Sequence, residues 1–195
     1  MVLEESAFYP TSGGQLYDTG EINGVRVLEV IDEGDEVVHV LAGPLEVGPV
    51  QCSVDWQRRY EFMQQHTGQH LLSAVFHGLH GMETVSVHLG EEGATIELAT
   101  PAVSAEQMRT AETRANQLIW ENHAVSISFE ENPDGLRKAS ERTGTLRVVT
   151  IEGLDKSACG GTHVRRTGEI GAILIRKAEK IRGNMRLEFV CGAKA

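Results

Sequence analysis

The chain has 195 residues, 41% of them apolar and 24% charged, with three cysteines and a net charge of −10. That length supports a core of its own and that composition excludes wholesale disorder, while an odd, small cysteine count excludes a disulfide framework. No run of about 18 apolar residues offers a membrane-spanning helix, and the start MVLEESAFYP lacks the basic and apolar regions of a secretory leader, so a reducing, cytoplasmic setting is expected. In chain order, residues 1–55 read as short strands, 25–31 and Val37–Leu41, between turns at Asp18-Thr19-Gly20, Asn23-Gly24 and Asp32-Glu33-Gly34-Asp35. Such turns between β-rich runs favour hairpins and predict a small β-barrel or sheet module. Near Asp55 the pattern changes. Trp56–His80 lacks proline and spaces Phe62, Leu72, Val75, Phe76 and Leu79 as a helix does, with Gly78 and Gly81 marking its end. Thr84–Leu89 and Ala94–Leu98 read as a strand pair around Gly90-Glu91-Glu92-Gly93. Ser104 and Gln107 form a capping box for a helix running to about Asn122. Residues 125–129, 146–151, 170–176 and 186–190 read as strands and 134–139 as a short helix. The order predicts an α+β fold, an antiparallel sheet with packed helices, divided into residues 1–55 and residues 56–195.

The strongest chemical feature is His66-Thr67-Gly68-Gln69-His70. Side chains at i and i+4 share one helix face, so two imidazoles can grip one ion. Cys159-Gly160-Gly161-Thr162-His163 supplies a thiolate and a third imidazole, with glycines that let the loop bend. Each pair alone is a weak signal, because HxxxH is common by chance. Together, His66, His70, Cys159 and His163 make a complete tetrahedral zinc set. Four protein ligands usually close a structural site, whereas catalytic zinc keeps a position open, so the residues leave a structural and a catalytic ion both standing. His39, His77, His80 and His123 read as surface or helix-end residues. His88 sits on a predicted strand that could face the site. The turn Thr11-Ser12-Gly13-Gly14-Gln15 is no phosphate cradle; it is either a plain hairpin loop or a place where hydroxyls meet a substrate. Charge is uneven: residues 156–195 hold nine Lys and Arg against three Asp and Glu, and the rest of the chain is strongly acidic. A basic segment on an acidic body can meet a polyanion at one face.

His66–His70 followed by Leu71-Leu72-Ser73, the Cys159–His163 loop, the turn from Phe8 to Gln15, Ser86-Val87-His88-Leu89-Gly90, Arg147-Val148-Val149 and Gly183-Asn184-Met185-Arg186-Leu187-Glu188 together resemble the editing domain of alanyl-tRNA synthetase and its free-standing AlaX relatives. The resemblance covers most of the chain in order. It implies hydrolysis of the ester in mischarged tRNA(Ala), with serine first and glycine second, and a zinc ion on His66, His70, Cys159 and His163. It implies catalysis around His66, His70 and Gln69, with Gln65 beside them. Substrate contacts are expected from Thr11, Ser12, Gly13, Gly14, Gln15 and His88, with Thr11 or Ser12 reading the serine hydroxyl. Arg165, Arg166, Lys177 and Arg182, with Arg176, Lys180 and Arg186, are the expected tRNA contacts. The zinc motifs are shared with the threonyl-tRNA synthetase editing domain, so seryl-tRNA(Thr) is an alternative substrate, and a non-catalytic zinc module that binds RNA or protein is another reading. Free-standing relatives with this turn commonly carry a further segment upstream of Val2-Leu3, so the β module is expected to be incomplete or completed by a partner chain.

Overall fold

The computed structural model describes residues 1–140 and 143–195. Its central element is helix α1, Trp56–His80. Asp55, in extended conformation, turns its carboxylate on the Arg58 amide at 3.2 Å and opens the helix. Gly81 closes it at φ 64°, its N–H meeting the His77 and Phe76 carbonyls, the left-handed end for which glycine carries no Cβ penalty. The helix therefore runs through Gly78. From Phe62 to Phe76 nearly every residue is buried, polar ones included; a helix enclosed on all sides is a core helix, not a surface one. Its two ends overhang, which leaves Trp56 in the first turn and Leu79 in the last exposed.

Helix α2, Ala105–Glu121, has the reciprocal Ser104–Gln107 capping box that the sequence predicts and packs Ala111, Ala115, Leu118 and Ile119 into the same core. Three antiparallel sheets surround the helices. The first joins β1 (Gly20–Ile22), β2 (Val25–Asp32), β3 (Val37–Leu41) and β4 (Cys52–Val54) in the order β3-β2-β1-β4. It is an open sheet and does not close into a barrel. The second joins β5 (Thr84–Leu89), β6 (Ala94–Leu98), β10 (Ile173–Ile181) and β11 (Asn184–Cys191) in the order β10-β11-β6-β5. The third joins β7 (Val125–Glu131), β8 (Thr145–Ile151) and β9 (Asp155–Ala158) in that order. Phe8, Ile22, Val27 and Val30 form a small cluster inside the first sheet, separate from the main core around α1. Arg59, in the first turn of α1, ties the two together: its guanidinium grips the fully buried Asp18 and donates to the Ala7 carbonyl at 2.6 Å.

Several expectations are corrected. Residues 134–139 form no helix, because Gly135 takes φ 67° and the Arg137 amide is committed to the Lys156 carbonyl at 2.8 Å. The strand expected at 170–176 starts later, since Thr167–Ile170 is a 3-10 turn and Gly171 breaks the path at φ 82°. It then continues into a hairpin through Arg182 and Gly183, both at positive φ, as two-residue hairpin turns require. His39 is buried rather than at the surface, between Ser6 (2.7 Å to Nε2) and the Met1 carbonyl (3.2 Å to Nδ1), with Phe8 edge-on; burial lowers its pKa. The strands β1, β4 and β9 are too short to show a period and were not expected. Among the described residues no helix is long and apolar enough to cross a membrane.

Candidate metal centre

His66 and His70, one turn apart on α1, are both buried. Strand β9 ends at Ala158 and delivers Cys159, whose amide and carbonyl are held by the Arg147 carbonyl (3.0 Å) and Nη1 (2.6 Å). The loop then turns through Gly160 and Gly161 to bring buried His163 back against α1. Gly161 lies so close to the His66 ring that a Cβ there would sit 2.0 Å from Cε1, so no larger residue fits. Gln15 secures the same loop, accepting from the Thr162 amide at 3.2 Å and donating to the Thr162 hydroxyl at 2.9 Å.

Each imidazole is fixed from behind through Nδ1. His66 Nδ1 meets Gln15 Oε1 at 2.8 Å, His70 Nδ1 meets Asp155 Oδ2 at 3.0 Å, and His163 Nδ1 meets the Thr67 hydroxyl at 3.1 Å. The Thr67 hydroxyl already donates to the Met63 carbonyl at 2.9 Å, so towards His163 it accepts. Gln15 Oε1 and Asp155 Oδ2 can only accept. All three rings therefore carry hydrogen on Nδ1 and, when neutral, a lone pair on Nε2. Cys159 Sγ lies 3.4 Å from His66 Nε2 and 3.3 Å from His163 Nε2, and the four donor atoms lie within 4.8 Å of one another. Three oriented imidazoles and a sulfur at that spacing suit a thiophilic, imidazole-binding metal ion, and acceptors behind the imidazoles are the usual support of such a site.

The electrostatics agree. Burial opposes ionisation of Cys159, but hydrogen bonds from His163, His66 and His70 outweigh it and bring the thiol down to about 2, the thiolate form that ligates. Burial keeps His66 neutral and takes His163 down to about 3. For His70 burial acts the same way, yet Asp155 and Cys159 prevail and raise it to about 9. The Asp155 carboxylate behind the His70 ring and the Cys159 thiolate in front of it thus favour positive charge on that ring. Burial also opposes ionisation of Asp155, but His70 and Arg137 hold its pKa below the ordinary value; Arg137 Nε reaches Oδ1 at 2.5 Å and Ser157 reaches Oδ2 at 2.9 Å.

The other expected residues divide. The Gly-rich turn docks on β5: Gly14 accepts from the Leu89 amide at 2.8 Å, and a Cβ on Gly14 would lie 2.8 Å from the Val87 carbonyl. Gln15 is fully buried behind His66, while Thr11, Ser12 and Gly13 stay exposed. The Thr11 hydroxyl accepts from the Tyr17 amide at 3.2 Å, and Tyr9 donates to the Ser12 carbonyl at 3.1 Å. Burial and the nearby Cys159 raise the Tyr9 pKa to about 12. Gln69 points to Ser73 at 2.9 Å, and no hydrogen bond joins it to the four donors among the described residues. His88 is exposed on β5. Gln65 is buried between Gly90 and Lys194. The basic segment is split: Arg165 and Arg166 run beside the start of β7, whereas Lys177 and Arg182 belong to the β10–β11 hairpin. Lys177 pairs with Glu179 at 2.6 Å, and Arg186 pairs with Glu97.

Comparison with known proteins bears on this site. Residues 146–187, which include Cys159 and His163, match the family model described as the threonyl and alanyl tRNA synthetase second additional domain. A mouse protein called alanyl-tRNA editing protein Aarsd1 is 40% identical over 201 residues, 98% of this chain and 49% of its own length. The chain is homologous to the alanyl-tRNA editing proteins. The AlaX-L editing protein of Pyrococcus horikoshii is 34% identical over all of this chain and 52% of its own length. An alanine–tRNA ligase of Cenarchaeum symbiosum is 35% identical over all of this chain and 23% of its own. The chain spans about half the length of the curated editing proteins it matches. Sequence reading missed Asp155 and Arg137, which lie on or beside β9 where no motif marks them, and it quoted Arg147 within Arg147-Val148-Val149 without giving it a role. Thr67 lay inside the HTGQH motif, where a hydroxyl one residue after His66 was the available signal.

Proposed function

We propose that this chain is an aminoacyl-tRNA deacylase that clears mischarged tRNA(Ala), seryl ester first and glycyl ester second, with zinc on His66, His70, Cys159 and His163. The observation that carries the reading is the inward convergence of three Nε2 atoms and one thiolate, each imidazole backed by an acceptor. Homology to alanyl-tRNA editing proteins supports the substrate class. When bound, zinc supplies Lewis acidity towards an ester carbonyl and lowers the pKa of water. The chain's own residues do the rest. Gln15, Asp155 and Thr67 hold hydrogen on the three Nδ1 atoms. Arg147 pins the Cys159 carbonyl and sets a positive charge near the site, where it opposes protonation of His66 and favours developing negative charge. The exposed hydroxyls of Thr11 and Ser12 form the wall that reads the serine side chain, with Gly13 and Gly14 keeping that wall thin; a partner left unpaired would reject the alanyl ester. In this reading residues 1–55 supply that wall to a metal-holding unit of residues 56–195, His88 and Gln69 are outlying members of the site, and the protein works in the cytoplasm. Arg165, Arg166, Lys177 and Arg182 meet the tRNA backbone.

The test is deacylation of seryl-, glycyl- and alanyl-tRNA(Ala), with seryl-tRNA(Thr) as control, by metal-loaded and chelated protein. Zinc-dependent loss of the seryl ester with the alanyl ester spared is expected. Preference for seryl-tRNA(Thr) would move the substrate to the threonyl branch, and tight zinc without turnover of any ester would make the site a non-catalytic zinc module.

A further inference from the structure

Strand β7 is an edge strand, and it carries large apolar side chains into solvent: Phe129 is 73% exposed and Ile127 50%. Their place in the sheet is specific. Phe129 pairs with Arg147, and Ile127 with Val149. Arg147 in turn stands opposite Cys159, whose amide it receives at 3.0 Å. Directly paired residues of an antiparallel sheet project to the same face, so Phe129, Arg147 and Cys159 form one row. The next pairs on that face, Val149 with Ser157 and then Ile151 with Asp155, fix which face it is, because Asp155 reaches His70 on α1. Strands lie about 4.8 Å apart, which sets the backbones of Phe129 and Cys159 about 10 Å apart. An exposed aromatic ring, an arginine and the metal-binding sulfur thus follow one another across the sheet. At the other end of β7, the Val125 amide bonds to the Arg165 carbonyl at 2.8 Å and Ala124 bridges to Arg166, so two more cations flank the strand.

We propose that Phe129 is the stacking platform for the last unpaired base at the 3′ end of the charged tRNA, an inference that rests on the deacylase reading above. Unpaired bases are bound by aromatic faces, and arginine beside such a face adds charge and stacking. The terminal nucleotide also bears the ester, so a base held on Phe129 would set the ribose over Arg147 and the ester towards Cys159. Glu131, two residues further on the same face, is exposed; it turns a polyanion away from the strand's outer end and back towards Arg165 and Arg166.

The experiment compares wild type, Phe129→Ala and Phe129→Trp, zinc-loaded, for affinity towards unacylated tRNA(Ala) and towards the same tRNA with an abasic 3′-terminal nucleotide. Turnover of seryl-tRNA(Ala) is measured alongside. Phe129→Ala should weaken binding of the intact tRNA about 5–150-fold, raise KM with kcat little changed, and leave zinc content as it was. Phe129→Trp should bind as wild type does, and the abasic tRNA should bind wild type and Phe129→Ala alike. Equal affinity of wild type and Phe129→Ala for the intact tRNA would overturn the platform, even with wild-type turnover intact. Affinity that depends on Phe129 with no turnover of any ester would support the platform and reject the deacylase reading. A dimer that Phe129→Ala dissolves without changing tRNA affinity would overturn it in favour of a second copy of the chain.

Discussion

The clustering of the four donor residues was legible because their chemistry sits at short, regular intervals. His66 and His70 are one helical turn apart, and Cys159 and His163 lie within one loop. The residues that orient them were not legible. Gln15, Asp155 and Thr67 reach their histidines across 51, 85 and 96 residues of sequence, and no local period encodes such a pairing. Gln15 shows the cost of reading it locally: inside a Gly-rich turn it looks like a substrate contact, whereas it is fully buried behind His66. The same geometry gives a prediction for Asp155. It accepts from His70 and is itself held by Arg137 and Ser157. Asp155→Asn keeps the shape but removes the charge behind the imidazole, and its amide can turn a donor towards Nδ1. Replacement of such outer partners costs about 10–100-fold in metal affinity, and that loss is expected in zinc competition against a chromophoric chelator. Affinity equal to wild type would mean that His70 is oriented without Asp155. His70→Ala and Cys159→Ala remove two of the proposed ligands outright and set the lower bound of the scale.

Elements with strong local signals were legible to within a residue or two. The capping box before α2 and the Asn23-Gly24 turn between β1 and β2 are of this kind. Segments whose conformation is set by distant partners were not, as with residues 134–139, where the Arg137 amide is taken by Lys156. Within α1 a single glycine links helix to sheet. Gly68 lies between the two histidines, and a Cβ there would sit 2.4 Å from the buried Cys191 Sγ and 3.4 Å from Ile170 Cγ2. The backbone of α1 therefore approaches β11 as closely as it can, which places His66 and His70 at their depth. Gly68→Ala gains about 1 kcal/mol of helix propensity but forces overpacking that costs about 1–3 kcal/mol. A clash at 2.4 Å with a fully enclosed side chain makes the second effect prevail, so a net loss of stability is expected in urea unfolding. Cys191→Ala removes the sulfur, so the double variant Gly68→Ala/Cys191→Ala should lose less than the sum of the two single losses. Additive losses would show that the glycine serves something other than contact with Cys191.

At the scale of the whole molecule the charge pattern and the proposed ligand oppose each other. A net charge of −10 repels RNA at long range, so binding has to rest on a few local cations. The sequence offered a single basic segment, residues 156–195, but folding divides it and neutralises part of it. Lys177 is paired with Glu179, and Arg186 with Glu97. Arg165 and Arg166 are exposed, lie just past His163, and have no ion pair among the described residues. Each phosphate neutralised by a cation steepens the fall of log affinity with log salt by about 0.7–0.9. Arg165→Ala/Arg166→Ala should therefore make the salt slope for tRNA(Ala) shallower by about 1.4–1.8, while zinc content and turnover of a minimal seryl ester stay as in wild type. Lys177→Ala should leave the slope nearly unchanged, because its ammonium already answers a carboxylate on the same strand. The opposite order, with Lys177 controlling the slope and the arginine pair silent, would place the tRNA backbone along the β10–β11 hairpin rather than beside the metal loop. The terminal base could not then follow the row from Phe129 to Cys159.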